Sequence, residues 1–165
     1  MSHQPVIDGL EFAKAGSRLQ GEWPVAGFER LRDVLESDDG VLRYELQGVP
    51  EDQGKPALRL RIDGTLRLVC QRCLGGLAFP LRVDAMLHLA ATQAEVDAEP
   101  LEADGPESIL AGREMQVRTL VEDEVLLAIP IAPRHEACAG GPRESAGARP
   151  SPFAGLRGMM GGAKH

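Results

Sequence analysis

Two pairs of residues in this chain have the types and spacing to hold a metal ion. Cys70 and Cys73 enclose Gln71 and Arg72, a spacing that lets one tight turn offer both sulfurs to a single ion. His135 and Cys138 are also separated by two residues, and would complete a Cys3His tetrahedron, a donor set typical of zinc. Sixty-one residues lie between the pairs, so the fold must bring them together. Failing that, they are reduced cysteines on loops. A redox C-x-x-C fits less well, because that chemistry wants its first cysteine at a helix N-terminus, and Cys70 follows a strand-like run. Catalysis by Cys138 with His135 is a third reading, but no orienting group or oxyanion site has a visible signature. Gly75-Gly76 does not follow the spacing of a phosphate-binding loop.

Arginines supply the second possible chemistry. Leu58, Leu60 and Ile62 alternate with Arg59 and Arg61; after Gly64, Leu66 and Leu68 alternate with Arg67 up to Cys70. A second alternating run carries Leu77, Phe79, Leu81, Val83, Leu87 and Leu89. Two period-two segments with a short Gly-containing connection predict an antiparallel hairpin with the C-x-x-C at its tip. Arg59, Arg61, Arg67, Arg72 and Arg82 then become candidate RNA contacts on an exposed, positive face, where each phosphate neutralised would release counterions. Phe79 is the only aromatic nearby, which argues against reading single-stranded bases by stacking. The chain's own acidic loop or a partner protein would serve the arginines equally well. His88 falls on the polar side of its strand and reads as an exposed polar residue.

Other elements must position these groups. Val25, Phe28, Leu31, Val34 and Leu35 recur at three- and four-residue steps, predicting an amphipathic helix over 24–37. Residues 41–47 alternate as a half-buried strand, and 48–56 reads as a loop. Residues 94–112 are acidic and aperiodic, with Pro100, Gly105 and Pro106, and read as a mobile loop. Val117, Leu120, Val121, Val125 and Ala128 outline a second helix that Pro130 ends, with Glu122, Asp123 and Glu124 on a solvated face. The expectation is one α+β domain over 1–138: an antiparallel sheet with two flanking helices. A flexible Gly- and Pro-rich tail over 139–165 follows, in which Pro152, Phe153 and Leu156 look like a short partner-docking motif.

The net charge of −7 argues against a generic nucleic-acid binder, but charge is unevenly distributed. Residues 53–82 carry Lys55, Arg59, Arg61, Arg67, Arg72 and Arg82 against Asp63 alone, a local +5. Residues 95–124 carry ten acidic residues against Arg113 and Arg118, a local −8. Separate surfaces, or a basic face shielded by an acidic loop, would follow from such blocks. No basic start leading into an apolar run opens the chain, and no stretch approaches the ~20 apolar residues of a membrane span. Three cysteines do not make a secreted disulfide framework, so the chain is expected in a reducing cytoplasm.

Three ordered landmarks carry a family resemblance. They are Cys70-Gln71-Arg72-Cys73; the run Leu120-Val121-Glu122-Asp123-Glu124-Val125-Leu126-Leu127-Ala128-Ile129-Pro130 with Pro133, His135 and Cys138 after it; and Pro150-Ser151-Pro152-Phe153-Ala154-Gly155-Leu156. The chain resembles the large ribosomal RNA subunit accumulation (YceD-like) family, with Ser151 where the terminal motif has Asn. The resemblance implies a non-enzymatic role in synthesis, processing or stability of large-subunit (23S) ribosomal RNA. Its partner would be that RNA or a ribosomal protein, with no small-molecule substrate. The alternative is a zinc-stabilised protein–protein adaptor without RNA contact.

Overall fold

The computed structural model describes residues 4–98 and 105–138. In chain order its elements are β1 (Val6–Ile7), α1 (Gly9–Lys14), β2 (Arg18–Pro24), β3 (Leu35–Ser37), β4 (Val41–Asp52), β5 (Lys55–Val69), β6 (Gly76–Ala90), α2 (Gln93–Asp97), β7 (Glu107–Leu110), β8 (Met115–Gln116) and α3 (Val117–Ala128). The main sheet runs β2-β4-β5-β6-β7, with β3 paired to the far part of β5. All pairs are antiparallel except β6–β7, and β1 with β8 forms a separate two-stranded ribbon. The arrangement is α+β, mostly sheet with a few helices.

Period-two alternation decides which face is buried. Leu58, Leu60, Ile62, Leu66 and Leu68 of β5 are buried on one side, with Leu42, Tyr44 and Leu46 of β4 and Leu81, Leu87 and Leu89 of β6. Ala13 of α1, then Val25, Phe28 and Leu31, and Val117, Val121 and Val125 of α3 cover that face. Each such aliphatic side chain contributes about 1.5–3 kcal/mol on burial, so this one layer outweighs any polar contact on the other side. The opposite face of the sheet is charged and open to solvent along most of its length, but is covered where Ala57 and His88 pair.

The first expected helix does not form. Val25–Gly27 makes a single 3-10 turn, further turns follow, and Leu35–Ser37 becomes β3. The apolar spacing is satisfied without a helix, because Val25, Phe28 and Leu31 all reach the core while Val34 stays 37% exposed. What holds the segment is α3. The Arg30 N–H donates to Glu122 Oε1 at 2.8 Å, the Arg30 guanidinium pairs with Asp123, and Arg118 donates to the Gly27 carbonyl. Backbone groups that a helix would pair internally are satisfied by α3 side chains. Glu122 and Asp123 are therefore docking groups rather than a solvated face.

Two expected loops are also replaced. The 48–56 stretch continues β4 to Asp52, turns at Gln53 and Gly54 and enters β5 at Lys55. Gln53 and Gly54 have φ of 52° and 85°, so two left-handed residues close the hairpin as in a primed turn. Gly48 is an interior strand residue: a Cβ there would sit 2.1 Å from the Phe12 carbonyl oxygen, so its absence lets α1 lie against β4. In the 94–112 stretch the described residues form α2, capped by Thr92, and β7, which adds to β6; residues 99–104 lie outside the described set. Four residues of edge strand are too few for periodicity to reveal.

Glu124 is half-buried. Burial, then the nearby charges of Glu107 and Asp123, raises its pKa above the ordinary carboxylate value. The folded protein thus binds this proton more tightly than the unfolded chain, so ionised Glu124 opposes folding at neutral pH. Glu124→Gln is expected to raise the melting temperature at pH 7, an advantage that disappears below about pH 4, where the carboxyl is protonated in both states. Identical melting at pH 7 would contradict this assignment.

Candidate metal centre and the charged sheet face

Residues 70–75 join β5 to β6. The Cys70 N–H donates to the Gly75 carbonyl and the Leu74 N–H to the Cys70 carbonyl, both at 2.9 Å, and Leu74 takes a left-handed φ of 60°. A bulky residue is rarely found there, so the turn is over-determined by its neighbours. Cys70 continues the inward series of β5 and is buried, whereas Cys73 is exposed. After α3 the chain returns across this tip. The Gln71 N–H donates to the Pro133 carbonyl at 2.8 Å, and His135 Nε2–H donates to the Gly76 carbonyl at 3.0 Å. A carbonyl can only accept, so Nε2 carries a proton; the neighbouring Cys138 and Cys70 sulfurs raise the His135 pKa, and in the neutral ring Nδ1 keeps a lone pair.

That lone pair faces the sulfurs. Cys70 Sγ lies 3.7 Å from Cys138 Sγ, and His135 Nδ1 lies 3.4 Å from Cys73 Sγ and 3.9 Å from Cys138 Sγ. All four donor atoms fall within 4.8 Å of one another. Tetrahedral bonds of about 2.3 Å to sulfur and 2.0–2.1 Å to nitrogen place ligand atoms about 3.6–3.8 Å apart, so the donor set fits one small cation. The structure thus brings together both pairs across the 61 residues between them.

The electrostatics of the cluster favour added positive charge. The Cys73 amide donating to its sulfur lowers the Cys70 thiol to about 5, despite partial desolvation. The Arg72 guanidinium lowers Cys138. At Cys73 the Gly75 amide acts downward, but desolvation and the neighbouring sulfurs Cys70 and Cys138 outweigh it, and the thiol is raised. Three thiolates this close cannot all ionise unaided, and a bound divalent cation would remove the conflict.

The arginine row is not a free positive face. Arg59 makes a two-pronged contact to Asp84, with Nε and Nη2 each 2.8 Å from a carboxylate oxygen, and Arg61 Nε reaches the same carboxylate at 3.4 Å. Arg61 also approaches Glu45 at 4.0 Å, and Arg67 approaches Glu36 at 3.7 Å. Cross-strand register places Glu22, Arg43, Asp63 and Arg82 opposite one another on β2, β4, β5 and β6, beside a row of Glu45, Arg61 and Asp84. Signs alternate along each row. Counting charge along one stretch of chain misses this, because the carboxylates arrive from other strands, and Asp84 lies just beyond the 53–82 window. The contact with Arg59 holds the Asp84 carboxyl below its usual range, so its contribution to stability is present at neutral pH and fades as pH falls through that lowered value. Asp84→Asn is expected to cost under about 1 kcal/mol, the scale of exposed pairs, and a thermal melt in low salt would measure it. Among the described residues, Arg82 has no ion-pair partner.

His88 is buried rather than exposed, and its Nε2–H donates to Asp52 Oδ2 at 2.8 Å. The continuation of β4 beyond residue 47 brings Asp52 over this end of the sheet. Pro152, Phe153 and Leu156 lie outside the described residues. Sequence reasoning missed α1 and β2, which are short or neutral in pattern, and missed that Arg72 contacts Cys138. No helix among the described residues is long and apolar enough to cross a membrane.

A family model described as large ribosomal RNA subunit accumulation protein YceD matches residues 58–158, more than half of the chain. The match takes in β5 from Leu58 onward, β6, α3 and all four metal-ligating candidates, while α1 and β1 to β4 precede it. No solved structure matches.

Proposed function

Because this chain belongs to the large ribosomal RNA subunit accumulation protein family, we propose that it is a non-enzymatic ribosome biogenesis factor of the reducing cytoplasm. It supports synthesis, processing or stability of 23S ribosomal RNA by binding a protein component of the large subunit. The observation that carries the choice of partner is the ion-paired sheet face. A phosphate backbone would have to displace Asp84 from Arg59 and Arg61 and Glu36 from Arg67 before counterion release could favour it. A protein surface of complementary alternating charge meets the same face without that loss. Zinc suits the Cys70, Cys73, His135 and Cys138 set, and four protein donors make a closed, structural site. Direct contact with ribosomal RNA is the second reading, favoured by Arg82, which has no ion-pair partner among the described residues.

Arg59→Gln, Arg61→Gln and Arg67→Gln combined provide the test. Glutamate would be a poor choice, since it would face Asp84 and Glu45. The protein is expected to sediment with large-subunit particles, the triple variant to lose that association, and naked large-subunit RNA to go unbound at low ionic strength. RNA binding that falls steeply with salt and weakens in the triple variant would overturn the protein-partner reading in favour of RNA.

A further inference from the structure

Arg72 sits between the two cysteines of the hairpin loop, yet its side chain serves the other limb of the cluster. Its Nε–H donates to Cys138 Sγ at 3.0 Å, across 66 positions of sequence. We infer that Arg72 is the positioning residue of the metal centre, orienting the Cys138 sulfur and balancing the charge of the occupied site; this rests on the zinc reading above.

Three thiolates and a neutral imidazole around a divalent cation leave one net negative charge, and one guanidinium cancels it. Among the described partners, Arg59, Arg61 and Arg67 face carboxylates, whereas the partner of Arg72 is a sulfur. Arg72 also gives Cys138 a tether from the hairpin loop. The loop that carries Cys70 and Cys73 is closed by its own amide bonds, and His135 is anchored on the Gly76 carbonyl. Cys138 lies outside that loop, and Arg72 ties it back to the loop that carries the first two ligands. An arginine committed in this way is also unavailable to phosphate, which removes Arg72 from the RNA-contact candidates.

Groups that orient metal ligands typically change metal affinity about 10–100-fold when removed. In zinc-loaded full-length protein titrated with a chromophoric chelator, Arg72→Ala is therefore expected to weaken zinc by about that factor. Arg72→Lys, which keeps a charged donor, should retain most of the affinity, and Arg82→Ala should match wild type. The cobalt-substituted protein gives a readout that a general packing defect would not move. Loss of the hydrogen bond to Cys138 should shift the thiolate-to-metal charge-transfer band to longer wavelength in Arg72→Ala and in Arg72→Met, which has no donor, and the latter decides the matter if the alanine variant misfolds. A wild type that holds one zinc, with unchanged affinity and spectrum in these variants, overturns the role of Arg72 alone. A wild type that binds neither zinc nor cobalt overturns the metal centre itself, and with it this role.

Discussion

Stripping zinc from the purified full-length protein is expected to lower its melting temperature by about 10 °C or more, with most of the far-ultraviolet sheet signal retained. An ion present at a thousand times its dissociation constant adds about 4 kcal/mol to the folded state. For a domain of this size each kcal/mol shifts the transition by about 3–5 °C. The sheet signal should survive because the core of Leu42, Leu46, Leu58, Leu60 and Leu66 does not run through the cluster. Zinc-finger peptides, which lack such a core, unfold outright without metal. What should loosen is the tip: the 70–75 loop and the 130–138 segment that packs on it. Cys70→Ser and Cys138→Ser should each reproduce the loss in the presence of zinc. Protein isolated without metal, with three freely titratable thiols and a melting temperature indifferent to chelator, would refute the metal centre.

Phe28→Ala is expected to cost about 3–5 kcal/mol, against less than about 0.5 kcal/mol for Val34→Ala. The two residues are equivalent members of an apolar stripe if 24–37 is a helix. In the folded protein they are not: Phe28 is buried, edge-on to Trp23 with ring centroids 6.1 Å apart, and the Arg118 guanidinium lies 5.1 Å from its ring centre. Val34 instead lies at the surface before β3. Denaturant midpoints of the two variants measure the difference, and equal losses would restore the helical reading. Trp23, stacked on Tyr44 at 4.3 Å and touching Phe28, should report the same unfolding by fluorescence.

Residues 58–70 need no help from the rest of the chain to be read. Strict alternation names Leu58, Leu60, Ile62, Leu66 and Leu68 as core, because a strand's side chains can point only to its two faces. The helix over 117–128 is equally legible, since its apolar residues recur at helical spacing and Pro130 must end it. The identities and spacing of Cys70, Cys73, His135 and Cys138 likewise name a possible ligand set, although nothing in the spacing brings the two halves together.

Tertiary structure decided the rest, and always where the partner is distant in sequence. The 24–37 segment has helical spacing but is held in turns because Glu122, Asp123 and Arg118 of α3 bind its backbone and its arginine. Local periodicity cannot register a hydrogen bond that spans some ninety residues. The arginines of β5 read as positive in their own stretch and are neutralised by carboxylates that cross-strand register delivers from β3, β4 and β6. His88 lies on the strand's polar side and is buried because Asp52 arrives from the end of β4. The four candidate ligands come together because α3 ends at Ala128 and the chain then crosses the hairpin tip, where Gln71 and Gly76 bind its backbone and His135. Alternation along a chain reports which way each side chain points, whereas charge balance and ligand closure depend on which strand or loop lies alongside, and only the packed fold sets that.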